Sequence, residues 1–456
     1  MMCTHTLGLD MGTTSLSLVV LDSETGEITW SRTLPNHAGM AGEFPWAALQ
    51  DPLRIWEAVE AAVAQAERAA GPFVSIGITG QMHGILYADA DGNALSPLYT
   101  WQDGRGDLPR DGRTYAQALK ALTGYPAASG YGLTTHYAQA LRGQVPHAAA
   151  RILTIADYVA IRLTRSRPLM HASMAASLGL FDLKTGDFDA AALEKAGISR
   201  TLLPAVTDQC AIIGTRGSTP VSVGLGDNQA SFLGAVRLSD GGSLINVGTG
   251  SQISACVEKP VSTEDCEARP LGEGRFLLVG SSLCGGHAYA LLRRFFQQVL
   301  DAFGAEKQAD YPVMDRLAQS ALEGGNALVR FATQFNGTRA DPALRAAING
   351  LDEKCFTPAQ LTLALLRGEV EELRAYYAQM APFLNPRPGP LVGSGNGIRN
   401  SAILKALASE AFGMPLLIPK HKEEAAFGAA LFSLVAAGVY ADLPSAGTLL
   451  RYEGPS

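Results

Sequence analysis

The chain has 456 residues, of which 47% are apolar and 17% are charged, and its formal net charge is −7. This length is typical of two domains that each bury a hydrophobic core. An acidic chain without a basic run is not expected to bind nucleic acid. The six cysteines show no Cys-x-x-Cys spacing, which indicates reduced packing residues in a cytoplasmic protein. No apolar run reaches membrane-spanning length, so no membrane partner is expected.

In the N-terminal half, apolar periodicity and turn residues predict an alternation of strands and helices. Strands are predicted at residues 6–10, 16–21 and 74–79. A hairpin turn is predicted at 91–93. Helices are predicted at residues 52–70, 115–123, 151–163 and 190–196, the first of them opened by Asp51-Pro52.

The C-terminal half repeats this alternation. Strands are predicted at residues 276–280 and 390–392. Helices are predicted at residues 286–303, 362–380, 399–412 and 423–437, and Gly428 in the last of them favours close helix packing. The alternation in both halves predicts the α/β class. Gly241-Gly242 interrupts the chain near the middle, and we predict domains at residues 1–238 and 239–456.

Two short segments, residues 7–15 and 244–251, resemble each other. Each is an apolar run that ends in Asp10 or Asn246, followed by glycine, hydroxyl residues and a second apolar stretch. Glycine lets backbone N–H groups approach an anion, and hydroxyl groups add donors. One such hairpin is typical of an ordinary turn, but two in similar halves indicate phosphate binding. Because phosphates repel a carboxylate unless a cation intervenes, Asp10 indicates Mg²⁺.

Asp227 follows a strand-like run that contains two glycines, and small residues typical of a helix start lie behind it. A carboxylate in this position is well placed to act as a general base. The alternative is an N-cap, in which the side chain accepts hydrogen bonds from the first turn of the helix. The local pattern does not separate these two interpretations.

Two polar loops, residues 80–84 and 100–105, each follow a predicted strand. Such loops line the crevice at the carboxyl ends of strands. Their glutamine, histidine, aspartate and arginine side chains suit a polyhydroxylated ligand, and Trp101 offers an apolar face to a sugar. Each loop alone is typical of an ordinary connection, and His83 alone is typical of a structural histidine. Their concentration favours a binding site.

A third glycine-rich loop, residues 393–397, leads from a predicted strand into a helix. Glycine at a helix start permits a base or a ribose to lie against the backbone. A simple strand-to-helix turn is the alternative.

The order of these segments resembles the FGGY carbohydrate kinases over residues 7–437. The resemblance implies the fold shared by actin and hexokinase, with two ribonuclease-H-like domains and an interdomain cleft. It implies an ATP-dependent kinase that phosphorylates the terminal hydroxyl of a ketose, with Asp227 as the catalytic base. Asp10 would hold Mg²⁺. The ketose would contact Gln81, Met82, His83, Trp101, Asp103 and Asp227. ATP would contact Thr13, Thr14, Gly248, Thr249, Gly393, Gly395 and Asn396.

Within the family, Gln102 and residues 131–140 and 167–170 resemble the sedoheptulokinase branch. Sedoheptulose is therefore favoured over xylulose or another pentulose. The family's Gly-Glu-Arg-Thr-Pro segment departs from its usual form after Gly337, where the Glu is lost. An actin-like ATPase without a sugar substrate and a catalytically silent sugar sensor are alternatives of other classes. The polar loops argue against the first, and the retained aspartates against the second. A monomer or homodimer is expected.

Overall fold

The computed structural model describes residues 4–325, 329–338, 341 and 343–453. The chain divides into two compact units. The first comprises the described residues up to Ser239 together with Arg269–Phe276 and Glu423–Leu450. The second comprises Asp240–Ala268, Leu277–Lys422 and the described residues from Arg451 on. The sequence-based division placed residues 269–276 and 423–450 in the C-terminal domain, and its bounds stay a prediction for the two functional domains.

The strands of the described residues fall into two larger sheets and several short pairings. The strands before residue 240 are β1 His5–Met11, β2 Ser15–Asp22, β3 Ile28–Pro35, β4 Gly39–Met40, β5 Leu49–Gln50, β6 Phe73–Gly80, β7 Leu86–Ala88, β8 Leu98–Tyr99, β9 Pro109–Arg110, β10 Arg113–Thr114, β11 Arg151–Leu153, β12 Leu169–His171, β13 Phe181–Asp182, β14 Asp187–Phe188, β15 Ala205–Thr207, β16 Ile212–Arg216 and β17 Thr219–Gly226. The later strands are β18 Ser243–Val247, β19 Ser251–Val257, β20 Cys266–Gly272, β21 Arg275–Ser282, β22 Arg330–Ala332, β23 Ala347–Asn349, β24 Leu391–Ser394 and β25 Leu416–Leu417.

The α-helices are α1 Pro52–Ala70, α2 Tyr115–Thr123, α3 Gly132–Leu141, α4 Ile155–Thr164, α5 Ala172–Leu178, α6 Ala190–Ala196, α7 Asp227–Leu233, α8 Gly285–Ala302, α9 Tyr311–Glu323, α10 Pro358–Met380, α11 Asn396–Asn400, α12 Ala402–Phe412, α13 Glu424–Ala436 and α14 Leu443–Ala446. Across the part of the chain that the structure describes, no helix combines the length and apolar character needed to cross a bilayer.

The first unit contains a six-stranded mixed sheet of order β16-β17-β6-β1-β2-β3. Strands β1, β6 and β17 run parallel, whereas β2 pairs antiparallel with both β1 and β3. The register aligns Met11 with Gly80, and Gly80 with Gly226. The carboxyl ends of the three parallel strands therefore meet at one edge, which we call the catalytic edge. Asp10, Gln81 and Asp227 lie at or beside these strand ends.

Helix α13 lies directly against this sheet because glycines allow its backbone to approach. A Cβ atom at Gly8 would overlap the carbonyl oxygen of Ala426, and one at Gly77 would overlap that of Ala429. Gly428 makes a similarly close approach to the backbone of α7. The predicted close packing at Gly428 is confirmed, and it fixes the short helix that begins at Asp227.

The second unit contains a six-stranded sheet of order β20-β21-β19-β18-β24-β25. Strand β18 is antiparallel to β19 and parallel to β24, and β24 is parallel to β25. Both sheets thus combine an antiparallel hairpin with parallel neighbours. Together with the helices, they confirm the predicted α/β class.

Two predicted helices differ from the observed ones. Residues 151–153 form β11, which pairs with β7, and α4 begins only after Thr154, which caps it. The helix predicted at 399–412 is divided at Ser401, which is the N-cap of α12. In both places a hydroxyl side chain satisfies early N–H groups of the helix, so a helix start is favourable there.

Candidate active site

Asp227 is the first residue of α7, at the catalytic edge. The N-cap is Gly226, so Asp227 is not the N-cap residue, although its side chain bonds to one backbone N–H of the first turn. Its Oδ1 accepts a hydrogen bond from the backbone N–H of Asn228 at 2.7 Å. Removal from water raises the pKa of Asp227 to about 6, although the Asn228 N–H and the charge of Arg269 act in the opposite direction. Such a carboxylate is a stronger base than an ordinary aspartate and still ionises near neutral pH.

Asp10 lies on β1, and its Oδ1 is buried without a hydrogen-bond partner among the described residues. Removal from water, followed by the negative charges of Asp227 and Glu423, raises the pKa of Asp10 to about 8. A cation bound here would supply the missing partner and offset the repulsion. Mg²⁺ is usually held by one or two carboxylates, several waters and substrate phosphates. The surroundings of Asp10 therefore fit this ion.

Thr13 joins the turn after β1 to both predicted sugar loops. Trp101 donates from Nε1 to Thr13 Oγ1 at 3.0 Å, and Thr13 Oγ1 donates to Gln81 Oε1 at 3.4 Å. Gln50 closes the network: its Nε2 donates to the carbonyl of Thr13, and its Oε1 accepts from Gln81 Nε2, both at 2.8 Å. The structure thus brings three of the predicted residues together. Thr14 is exposed and makes no side-chain contribution to this network.

His83 is held in a fixed orientation. Since a carbonyl oxygen can only accept, His83 Nδ1 donates the hydrogen bond to the carbonyl of Ser177, at 2.7 Å. The His83 ring stacks on Tyr131 with centroids 4.9 Å apart. Met82 is buried, and its sulfur lies where a Cβ atom at Gly226 would collide with it. Met82 thus packs against Gly226, the residue that precedes Asp227. Tyr131 extends the wall formed by His83.

Asp103 occupies a different environment from the other sugar-loop candidates. It is buried, and both carboxylate oxygens accept hydrogen bonds from Arg105, at 2.5 and 3.0 Å. Its Oδ2 also accepts from the backbone N–H of Ala48 at 3.2 Å. The guanidinium of Arg105 lies 4.1 Å from the ring centroid of Tyr99. These contacts anchor the loop that carries Trp101, while contact between Asp103 and a sugar stays a prediction.

A cavity of about 810 Å³ lies in the second unit. Of the predicted ATP-contact residues, Gly248, Thr249 and Asn396 line it. Gly395 has a φ of 83° and lies against the Val247 carbonyl, where a Cβ atom would not fit. Gly393 is buried and does not line the cavity. The second hairpin and the late glycine-rich loop therefore meet, and a cavity of this size suits a nucleoside.

Glu369 on α10 also lines this cavity, although the sequence pattern gave no signal for it. The residue is 4% exposed, and its Oε1 has no hydrogen-bond partner within the described residues. Removal from water and then the charge of Glu372 raise the pKa of Glu369 well above its usual range. Nearby, Tyr289 donates to Asp315 Oδ1 at 2.7 Å. Burial favours the protonated form of such a carboxyl, and that form offers one donor and one acceptor.

Sequence reasoning also missed polar groups around Asp227. Arg269 donates to Asn228 Oδ1 at 3.3 Å, and Gln229 donates from Nε2 to the Pro270 carbonyl at 3.0 Å. Asn228 Nδ2 and Gln229 Oε1 are buried without partners in the described part of the chain. Their position next to Asp227 was the available signal. Buried groups of this kind are expected to bond to a ligand or to water.

Comparison with known proteins identifies the family. Residues 5–234 match the N-terminal domain of the FGGY family of carbohydrate kinases, and residues 243–437 match its C-terminal domain. The sedoheptulokinase of Mus musculus is 28% identical and that of Homo sapiens 27% identical, each over 94% of this chain and 97% of the relative. The xylulose kinase from Rhodospirillum rubrum has a similar fold, with a TM-score of 0.84 at 21% identity over 99% of this chain and 93% of its own.

The chain belongs to the FGGY family of carbohydrate kinases, as the resemblance of its motifs predicted. It is therefore an ATP-dependent phosphotransferase that acts on a sugar, and the predicted two-domain sugar-kinase fold is confirmed. Arg339, Ala340 and Pro342, in the segment after Gly337 that was predicted to depart from the family pattern, lie outside the described residues.

Proposed function

We propose that this carbohydrate kinase phosphorylates the terminal hydroxyl of a ketose, with sedoheptulose as the favoured substrate. The observation that carries the proposal is the position of Asp227 at the catalytic edge, beside the polar loop that follows β6. A carboxylate with a pKa near 6 and a set of hydrogen-bonding side chains are combined there. This combination suits the activation of a sugar hydroxyl.

In the proposed reaction, Asp227 accepts the proton of the terminal hydroxyl as that oxygen attacks the γ-phosphorus in line. Asn228 holds one oxygen of Asp227 through its backbone N–H, which leaves Oδ2 for the substrate. Bound Mg²⁺, held by Asp10, would neutralise charge on the phosphate oxygens. Catalysis then depends chiefly on positioning and charge stabilisation, as in other phosphoryl transfers.

The sugar would contact Gln81, Met82, His83, Trp101, Asp103 and Asp227. Two features support a sugar ligand. The fixed His83 ring presents a polar edge, and Trp101 is 47% exposed and offers an apolar face. Tyr131, from the segment that resembles the sedoheptulokinase branch, stacks on His83. Similarity to two sedoheptulokinases over nearly the whole chain favours the seven-carbon sugar.

ATP would place its nucleoside in the second unit's cavity, next to Gly248, Thr249 and Asn396. Gly393 and Gly395 would allow the close approach of the surrounding backbone. Thr13 and Thr14 would contact phosphate groups. Domains at residues 1–238 and 239–456, a monomeric or homodimeric state and a cytoplasmic location complete the proposal as predictions.

Xylulose or another pentulose is the second candidate, because xylulose kinases share the fold. One assay separates the proposal from both alternatives of other classes. ADP release is measured with and without sedoheptulose and three pentuloses, and the product is identified by mass. A ketose kinase releases ADP only with sugar, an actin-like ATPase releases it without sugar, and a silent sensor binds sugar without turnover.

A further inference from the structure

The first unit contains a second large cavity, of about 1020 Å³, that plays no part in the proposed reaction. Its walls are formed by the turn after β7, β11, the end of α4, residues 165–168 and residues between 201 and 205. Four arginines line it: Arg151, Arg162, Arg165 and Arg167. We call it the arginine cavity.

None of these four guanidinium groups forms an ion pair with a carboxylate among the described residues. Arg151 donates to the backbone carbonyl of Ala150 at 2.6 Å, and Arg162 lies over the Trp56 ring at 5.2 Å from its centroid. Arg165 and Arg167 are exposed. The cavity therefore concentrates positive charge in a chain whose net charge is −7.

Two aspartates also line the cavity, but they do not neutralise the arginines. Asp89 accepts from the backbone N–H groups of Asp91 and Asn93 and from Asn93 Nδ2, all within its own turn. These hydrogen bonds hold the pKa of Asp89 below its usual value, and the bond from Asn93 Nδ2 has the largest effect. Asp91 is exposed at the tip of the turn. Four arginines against two aspartates leave an excess of positive charge.

The arginine cavity lies at the edge of the first sheet opposite to Asp227. Ser166 contacts Gly214, which pairs with Val221 near the start of β17, whereas Asp227 follows the end of that strand. At about 3.3 Å per residue, five strand residues separate these points by roughly 17 Å. Helix α4 supports this placement. Ala156 at its start lies against Gly224, near the end of β17, whereas the other end of the helix lines the cavity. The cavity is therefore separate from the catalytic edge.

We propose that the arginine cavity binds a small molecule that carries two or more phosphate groups. The planar guanidinium group pairs with phosphate through two parallel hydrogen bonds. Arg151 comes from β11, whereas Arg162, Arg165 and Arg167 come from the end of α4 and the residues that follow it. Two phosphate groups can therefore engage both segments at once. Leu153, Ile161 and Leu203 provide apolar wall for the rest of the ligand. This site goes beyond the proposed function and does not depend on which sugar is phosphorylated.

The test is a calorimetric titration of the full chain with inorganic pyrophosphate at low ionic strength. Nucleotide and Mg²⁺ are omitted, because a nucleotide triphosphate or its analogue belongs to the ligand class proposed for the arginine cavity. The catalytic phosphate contacts are the same in both double variants, so the difference between the variants isolates the arginine cavity. The R165E/R167E double variant is compared with R110E/R113E, which makes the same charge change at exposed arginines outside the cavity. The expected result is at least tenfold weaker binding to R165E/R167E, with the control within twofold of the native chain.

Equal affinity in the two double variants, or no binding to the native chain at millimolar pyrophosphate, would overturn the proposal. Orthophosphate that binds as tightly as pyrophosphate would overturn the requirement for two phosphate groups. If R165E/R167E does not fold, R165Q/R167Q takes its place and is expected to weaken binding in the same direction. Titrations with glucose 1,6-bisphosphate and with ADP, each made on R165E/R167E and on R110E/R113E, separate a sugar source of the phosphates from a nucleotide source. An affinity for either that falls in R165E/R167E and not in the control supports the proposal.

Discussion

Asp10 and Asp227 lie on the two sides of β6 at the same sheet edge, and the charge of one affects the ionisation of the other. Removal from water is the larger cause of the raised pKa of Asp10, and the negative charge of Asp227 is the next. The charge of Arg269 acts on Asp227 in the opposite direction. The two carboxylates therefore have different pKa values, which suits one as a cation ligand and the other as a base.

Replacement of Asp227 removes the proposed base. We expect Asp227→Asn and Asp227→Ala to lower kcat by roughly 10²–10⁴-fold, the usual contribution of a positioned general base. Nucleotide affinity should change less than threefold, because the cavity of the second unit is untouched. Steady-state kinetics and a nucleotide titration measure both effects, with the exposed D111N as the matched control. Near-normal turnover of D227A would contradict the assignment.

Asp10 should make stability depend on pH when no divalent cation is present. Its pKa is about 8 in the folded chain and 3.8 in the unfolded chain, so unfolding releases a proton between these values. Stability is therefore lost as the pH rises from about 4 to 8. D10N should be equally stable at pH 5 and more stable than the native chain at pH 9, by roughly 1–3 kcal/mol.

Urea unfolding at pH 5, 7 and 9 measures this difference. D22N is the matched control. Hydrogen bonds from Thr25 lower the pKa of Asp22, so the effect of this substitution on stability should have the opposite sign. Added Mg²⁺ should raise the melting temperature of the native chain at pH 9 and leave that of D10N unchanged. An identical Mg²⁺ response in both proteins would remove Asp10 from the proposed metal site.

The pKa of Asp227 predicts the acidic limb of the pH profile. A base acts in its deprotonated form, so kcat/KM for the ketose should rise as the pH increases through about 6 and level off above it. Rates at saturating Mg²⁺ and ATP between pH 5 and 8 measure this limb. E369Q should keep the limb because Glu369 lies in the nucleoside cavity. A profile that is flat over this range would exclude Asp227 as the titrating base.

Glu369 should contribute to ATP binding as a neutral acid. Glutamine reproduces its one donor and one acceptor, whereas leucine does not, so E369Q should keep the KM for ATP within threefold. E369L should raise it at least fivefold, since a buried ligand group left without its hydrogen-bond partner costs about 1–3 kcal/mol. E371Q is the control, because Glu371 is exposed on the same helix and does not line the cavity. An unchanged KM in E369L would exclude this contact.

Most of the secondary structure was predictable because hydrophobic periodicity and helix-capping residues indicate the same helix boundaries. Asp51 caps α1, Pro52 begins it, and Gly124 ends α2 at the predicted residue. Residues 151–153 were missed because their apolar pattern continues smoothly into α4, and only the pairing with β7 makes them a strand. Register and sheet order arise from long-range contacts, so no local pattern contains them.

The candidate site was predictable where a motif is local. The hairpins, the two polar loops and Asp227 were all identified from short runs of sequence. Glu369 was missed because a glutamate inside a helix is ordinary, and only its burial without a partner distinguishes it. The Asp103–Arg105 ion pair was missed for the converse reason, because the sequence does not show which polar residues satisfy each other.

The most direct test of the account is a comparison of kcat/KM for sedoheptulose, D-xylulose, D-ribulose and L-ribulose. A pocket built for the longer ketose leaves polar groups unpaired when xylulose binds, at a cost of about 1–3 kcal/mol each. About 1.4 kcal/mol is a factor of ten, so sedoheptulose should exceed xylulose at least tenfold. Equal or better activity on xylulose would contradict the seven-carbon assignment, and absence of sugar-dependent ADP release with all four would contradict the ketose kinase itself.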